Sequence, residues 1–189
     1  MRQRTAASLR LALFAGALLV VVPPFSSVPR AFQGADIKVH GHWTIEVRNP
    51  DGRMAARHEF QNALTTEGAE LIRDLLLGTR QIRLWQVNLI PVFGTPCPRS
   101  ACSLIQNVTA GDPDFFPLTV EVPATGPNAG HLVFRGTAVA VLGDGRIGAV
   151  TTALAGFSTP APFTARSLAS PIDVVQGQSI TVTVVFSFS

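Results

Sequence analysis

Between Ile37 and Arg48 apolar and polar residues alternate almost without a break. Ile37, Val39, Gly41, Trp43, Ile45 and Val47 fall on one side, and Lys38, His40, His42, Thr44, Glu46 and Arg48 on the other. A period of two marks a strand with one face in a core. Asn49-Pro50-Asp51-Gly52 follows as a turn, with Pro where φ is fixed and Gly where φ must be positive, and Arg53 to Asn62 reads as the returning strand. Setting Asn49 against Gly52 predicts a register with Val47 opposite Met54, Ile45 opposite Ala56, Trp43 opposite His58 and Gly41 opposite Phe60. Every apolar residue then shares one face, whereas a one-residue slip would mix the faces.

Thr65 is suited to cap a helix, with Glu67 and Glu70 in its first turn and Leu71, Ile72, Leu75 and Leu76 as an apolar stripe. Gly78 ends it, so the pattern predicts one helix over residues 66–77. Strand character resumes from Gln81 to Ile90, and Pro91 to Pro117 reads as a Pro-rich loop with one short strand near Leu104 to Thr109. A further short strand covers Leu118 to Val122. His131 to Leu142 and Arg146 to Ala155 are joined by Gly143-Asp144-Gly145, a hairpin tip. The last run, Ser179 to Phe188, alternates Ile180, Val182, Val184, Phe186 and Phe188 against mostly Ser and Thr. Roughly seven to nine strands with one early helix predict a mainly β fold, an antiparallel β-sandwich with one short inserted α-helix. The strands are too irregular, and the aromatic girdles too poor, for a lipid-facing barrel.

The N-terminus changes how charge is counted. Arg2, Arg4 and Arg10 precede an uncharged run from Leu11 to Val22 that Pro23-Pro24 ends, a run shorter than a bilayer span. Residues 1–31 therefore read as a signal peptide with the mature start near Phe32, leaving residues 32–189 as a single domain. If uncleaved, the leader would be the protein's one attachment to a membrane. Four of the 15 basic residues (Arg2, Arg4, Arg10 and Arg30) lie in it, which leaves 11 against 12 acidic residues and a mature net charge of −1. The basic surface expected of a nucleic-acid partner is not there.

Export also decides how the cysteines are read. Cys97 and Cys102 are the chain's two cysteines. In an oxidising compartment so close a pair forms a local disulfide, and two thiols with no histidine nearby in sequence do not make a zinc site. His40 and His42 are the metal candidate, because residues two apart on a strand face the same way. The predicted register adds Glu59 opposite His42 as a third ligand for one divalent ion such as zinc; otherwise no cofactor is expected. Asp112 and Asp114 flank Pro113 in a turn without the calcium-loop pattern. Asn107-Val108-Thr109 fits a glycosylation acceptor. Gly143 to Gly148 spells G-x-G-x-x-G, but β-prone residues follow it where a dinucleotide site needs a helix. No G-x-S-x-G elbow or activated thiol is present, so no catalytic residue is assigned. The final strand, through Ile180, Val182, Val184, Phe186 and Phe188, has no Lys, Glu or Pro to blunt its edge and is a candidate for completing a neighbour's sheet.

Two segments carry a resemblance. Phe60-Gln61-Asn62-Ala63-Leu64-Thr65-Thr66-Glu67-Gly68, running into Ile72 and Leu75-Leu76-Leu77-Gly78, resembles the F-x-N-x-[IL]-T-x-x-G … L-L-x-G segment of tail-fibre and baseplate-associated β-sandwich proteins of phages and phage-like particles. Phe163-Thr164-Ala165-Arg166, Pro171-Ile172 and Val175-Gln176-Gly177-Gln178 before a final apolar strand are similar to the close of such domains. The leader departs from that family, whose members are assembled without export. The resemblance implies a structural or adhesive module and carries over no catalytic residues. The expectation is an exported, non-enzymatic protein of the cell surface or beyond, secreted or periplasmic, that binds a protein partner or self-assembles. The alternative is a secreted metal-binding protein built on His40 and His42.

Overall fold

The computed structural model describes residues 38–82, 84–97, 102–155 and 161–189. The leader, its cleavage point and Ile37 lie outside them. The elements are β1 (Val39–Arg48), β2 (Met54–Leu64), α1 (Thr66–Leu76), β3 (Leu84–Pro91), β4 (Ser103–Gln106), β5 (Phe116–Glu121), β6 (Leu132–Val139), β7 (Gly145–Ala155), β8 (Ala161–Val174) and β9 (Ser179–Phe188).

These strands do not stack as two sheets. They form one closed barrel in the order β1-β2-β8-β7-β3-β4-β5-β6-β9, which corrects the expected sandwich. Closure comes from β9 returning beside β1 over its whole length, from Val39 opposite Phe188 to Arg48 opposite Ser179. Beyond the last pair the backbones of Lys38 and Ser189 exchange hydrogen bonds of 2.9 and 3.1 Å. Strands alternating in direction close only in even numbers, so a nine-strand barrel needs one parallel neighbour pair, and that pair is β4 with β5.

Inside and outside follow the alternation in the sequence. Trp43, Ile45 and Val47 of β1 and Ile180, Val182, Val184 and Phe186 of β9 are buried in the core, while His40 and His42 are exposed on the outer wall. Four aromatic rings close a circuit of edge-to-face contacts: Trp85 with Phe134 at 5.1 Å, Phe134 with Phe186 at 5.3 Å, Phe186 with Phe163 at 5.5 Å and Phe163 with Trp85 at 5.3 Å. Each such contact adds about 0.5–1.5 kcal/mol beyond the area it buries.

The helix starts as its cap predicts, with Thr65 Oγ1 accepting from the Gly68 backbone at 2.8 Å. α1 packs on β8 and contributes Leu71 to the core. Gly68 is required by close approach: a Cβ there would overlap the Phe163 carbonyl and stand 2.9 Å from Leu64 Cδ1.

The first hairpin departs from its expected register by two residues. The turn forms, with the Gly52 backbone donating to Asn49 O at 2.8 Å, but Gly52 adopts φ +82° and Asn49 then donates to Arg53 O. That glycine is an extra residue on the returning strand, a bulge of the kind that follows three-residue hairpin loops. A second irregularity between Val47 and Arg48 adds another. Two single shifts restore the inside-outside pattern that one would destroy. Trp43 therefore faces Phe60 instead of His58, and Gly41 faces Asn62. Glu59 sits opposite Thr44, and Gln61 takes the place opposite His42.

Candidate functional site

The wall of the barrel is incomplete between β2 and β8. β2 pairs with β1 from Met54 to Ala63, and β8 pairs with β7 from Ala161 to Val174. Between β2 and β8 themselves, Ala63 with Ala165 and Leu64 with Thr164 are the only registered pairs among the described residues. The cause lies in β8. Its register with β7 jumps from Ser167 opposite Ala149 to Ile172 opposite Ile147, so residues 168–171 bulge against Gly148 alone. Pro171, inside this bulge, has no N–H to give a ladder.

The result is a groove of about 400 Å³ lined by His58, Glu59, Phe60, Arg166 and Leu168, among others. Phe60 lies parallel to Trp43, with centroids 5.8 Å apart and planes 14° apart, so the buried indole supports the groove's aromatic surface. Arg166 stands opposite Val150 on β7, on the face that Phe60 also presents, and its side chain is exposed in the groove. Its guanidinium stands 5.5 Å over the Phe60 ring and Nη1 donates to the Gln61 carbonyl. That carbonyl thus points away from β1, toward the opening. Alternation along the strand turns the backbone groups of Glu59 and Arg57 the same way.

Polar groups continue below. Asn62 Nδ2 donates to Thr164 Oγ1 at 2.6 Å, and Thr164 shares a 2.7 Å bond with Thr152. Asn62 Oδ1 and Trp43 Nε1 are buried with no hydrogen-bond partner among the described residues. Two such atoms on facing strands are unusual, because an unmatched buried polar group costs about 1–3 kcal/mol.

The outer rim of β2 is charged. Arg57 donates through Nε to Glu59 at 2.9 Å and through Nη1 to Glu46 at 2.9 Å. The hydrogen bond from Arg57, and then its positive charge, hold the Glu59 carboxyl below the usual carboxylate range. A lowered carboxyl favours the folded state above its unfolded value and loses that advantage as pH falls through the folded one, here at a fully exposed pair where little stability is at stake. In an Arg57→Ala variant the Glu59 carboxyl should titrate at higher pH than in the parent, followed by its carboxyl ¹³C shift. An unchanged midpoint would mean that the pair does not form in solution.

The residues singled out from sequence are distributed differently from expectation. Cys97 and Cys102 form the disulfide, with Cα atoms 5.3 Å apart, which is compatible with an oxidising extracellular or periplasmic location. His40, His42 and Glu59 do not assemble as expected, because the two bulges place Gln61 opposite His42 and leave Glu59 one repeat along the same face, paired with Arg57. Among the described residues no group of three or more His, Cys, Asp or Glu stands at metal-holding distance. The final strand is paired on both edges, with β1 and β6, so Ile180, Val182, Val184 and Phe186 fill this barrel and their strand has no free edge to offer a neighbour. Asp112 Oδ1 accepts from the backbones of Asp114 and Phe115 at 2.8 and 3.1 Å, a local turn. Gly145 opens strand β7, where a dinucleotide site would need a helix.

Sequence reading missed Arg166 and the groove because it assigned no strand to Ala161–Val174. A run with two prolines and several Ala and Ser residues gives little period-two signal. Comparison of the chain with protein families, with curated proteins and with solved structures finds no match to any of them.

Proposed function

We propose that this is an exported binding module that takes up an extended segment of a partner protein along the open wall between β2 and β8, acting by recognition and not by catalysis. The observation that carries this reading is the missing ladder between β2 and β8, each of which is paired with its other neighbour along most of its length. A strand added there would gain main-chain hydrogen bonds from the groups of Arg57, Glu59 and Gln61 that face the opening. Its inward side chains would meet Phe60, His58 and Leu168, and its outward ones the Arg57 and Glu59 charges. The partner segment accordingly alternates apolar and charged residues. The same rim charges discourage indiscriminate edge pairing. Export rests on the basic-then-apolar leader over residues 1–31 and is supported by the Cys97–Cys102 disulfide. The likeness to phage tail proteins plays no part in this reading.

The test is selection of random dodecapeptides from a display library on the disulfide-bonded protein, followed by amide hydrogen exchange with a selected peptide. Slower exchange at the Arg57 and Glu59 amides is expected, and a Glu59→Pro variant, which removes one donor facing the opening, should bind at least several-fold more weakly. Glu59→Gln serves as the charge control and should bind nearly as well as the parent. Peptides that bind without protecting those amides, or no selectable peptide at all, would overturn the reading.

A further inference from the structure

The outer wall on the other side of β1 carries a separate arrangement that sequence spacing alone does not bring together. The chain has four histidines. Three of them, His40, His42 and His131, line one surface pocket of about 250 Å³ together with Gln61, Asn128 and Ser187. The strand registers explain why. His40 stands opposite Ser187 on β9, and Leu132 on β6 stands opposite Phe186, so the preceding residue, His131, falls beside Ser187 from the other side. His131, Ser187 and His40 thus form a row across three strands, and His42 lies two residues along on the same face.

We propose that His40, His42 and His131 bind one divalent transition-metal ion. Two strand spacings put the His131 and His40 backbones about 10 Å apart, a span that two imidazoles can bridge over a side chain as small as serine. His131 is placed by the turn before β6, where its backbone donates to Asn128 O at 3.1 Å. An all-imidazole set selects zinc, copper or nickel over calcium or magnesium. Glu59 is not a member, since it faces Thr44 and is held by Arg57. The three rings do not stand together at ligand distance, and the exposed His40 and His42 have the rotamer freedom to converge on an ion. Three protein ligands leave a fourth tetrahedral position open to water or to an incoming group.

Zinc chloride titration of the chelator-treated, disulfide-bonded protein tests the site, with affinity from calorimetry against a competing chelator and stoichiometry from native mass spectrometry. One Zn²⁺ per chain is expected. His40→Ala, His42→Ala and His131→Ala should each weaken it by more than the roughly 10–100-fold that loss of an outer-shell partner costs. His58→Ala and Glu59→Gln should leave it unchanged. Absence of stoichiometric uptake, uptake that survives His131→Ala, or uptake abolished by Glu59→Gln would overturn the proposal. Metal-free melting curves that match the parent's show that the variants are folded. His131 does not line the β2–β8 groove, so peptide uptake should persist in the His131→Ala protein.

Discussion

Replacing Trp43 with Ala should destabilise the protein by about 3–5 kcal/mol, the range for emptying a large aromatic site in a core. The indole is 0% exposed and stacks on Phe60, so its removal leaves a void beneath the groove's aromatic surface as well as in the barrel. Trp43→Phe should cost much less than its lost volume suggests. It deletes Nε1, a buried donor with no partner among the described residues, and so removes a penalty of about 1–3 kcal/mol along with the packing. Urea unfolding midpoints at constant m-value measure both. If Trp43→Phe proved as harmful as Trp43→Ala, the donor would have to be satisfied in solution. Peptide capture should fall in Trp43→Ala, because Phe60 loses the ring that holds it flat.

Phe186→Ala should cost a comparable amount, about 3–5 kcal/mol, whereas Phe188→Ala should stay within about 0.5 kcal/mol. The two residues share a strand and a face of the alternation, but Phe186 is 0% exposed and touches the rings of Phe134 and Phe163, while Phe188 is 52% exposed at the end of the strand. A double-mutant cycle with Phe134→Ala should return a coupling of about 0.5–1.5 kcal/mol, that of one edge-to-face pair. Both costs should be independent of protein concentration, as follows when β9 completes its own barrel. A concentration-dependent midpoint would show instead that the strand is shared between chains.

Much of the local structure was legible in the residues themselves. The alternation from Val39 to Arg48 and from Ser179 to Phe188 assigned each side chain to core or surface, and the barrel keeps those assignments except at Phe188, which the end of the strand leaves exposed. Thr65 capped its helix, Asn49 to Gly52 made its turn, and the close cysteine pair joined. Each of these depends on neighbours within a few residues, where propensity and chain geometry act directly.

What remained hidden is non-local. A period of two states that a face is buried but not against what, so a sandwich and a closed barrel write the same pattern, and only the pairing of β9 with β1 separates them. Two one-residue bulges moved the first hairpin by a full repeat without disturbing the alternation, which traded a His42–Glu59 pair for the Trp43–Phe60 stack. β8 gave no strand signal because Pro171 and its small neighbours form the bulge that opens the groove. His131 joined His40 only across an intervening strand. The sequence determined which side chains face inward and where the chain turns. Tertiary structure alone decided which strands meet and where a ladder is left unmade, because hydrogen bonds between distant strands are chosen by the closure of the whole sheet.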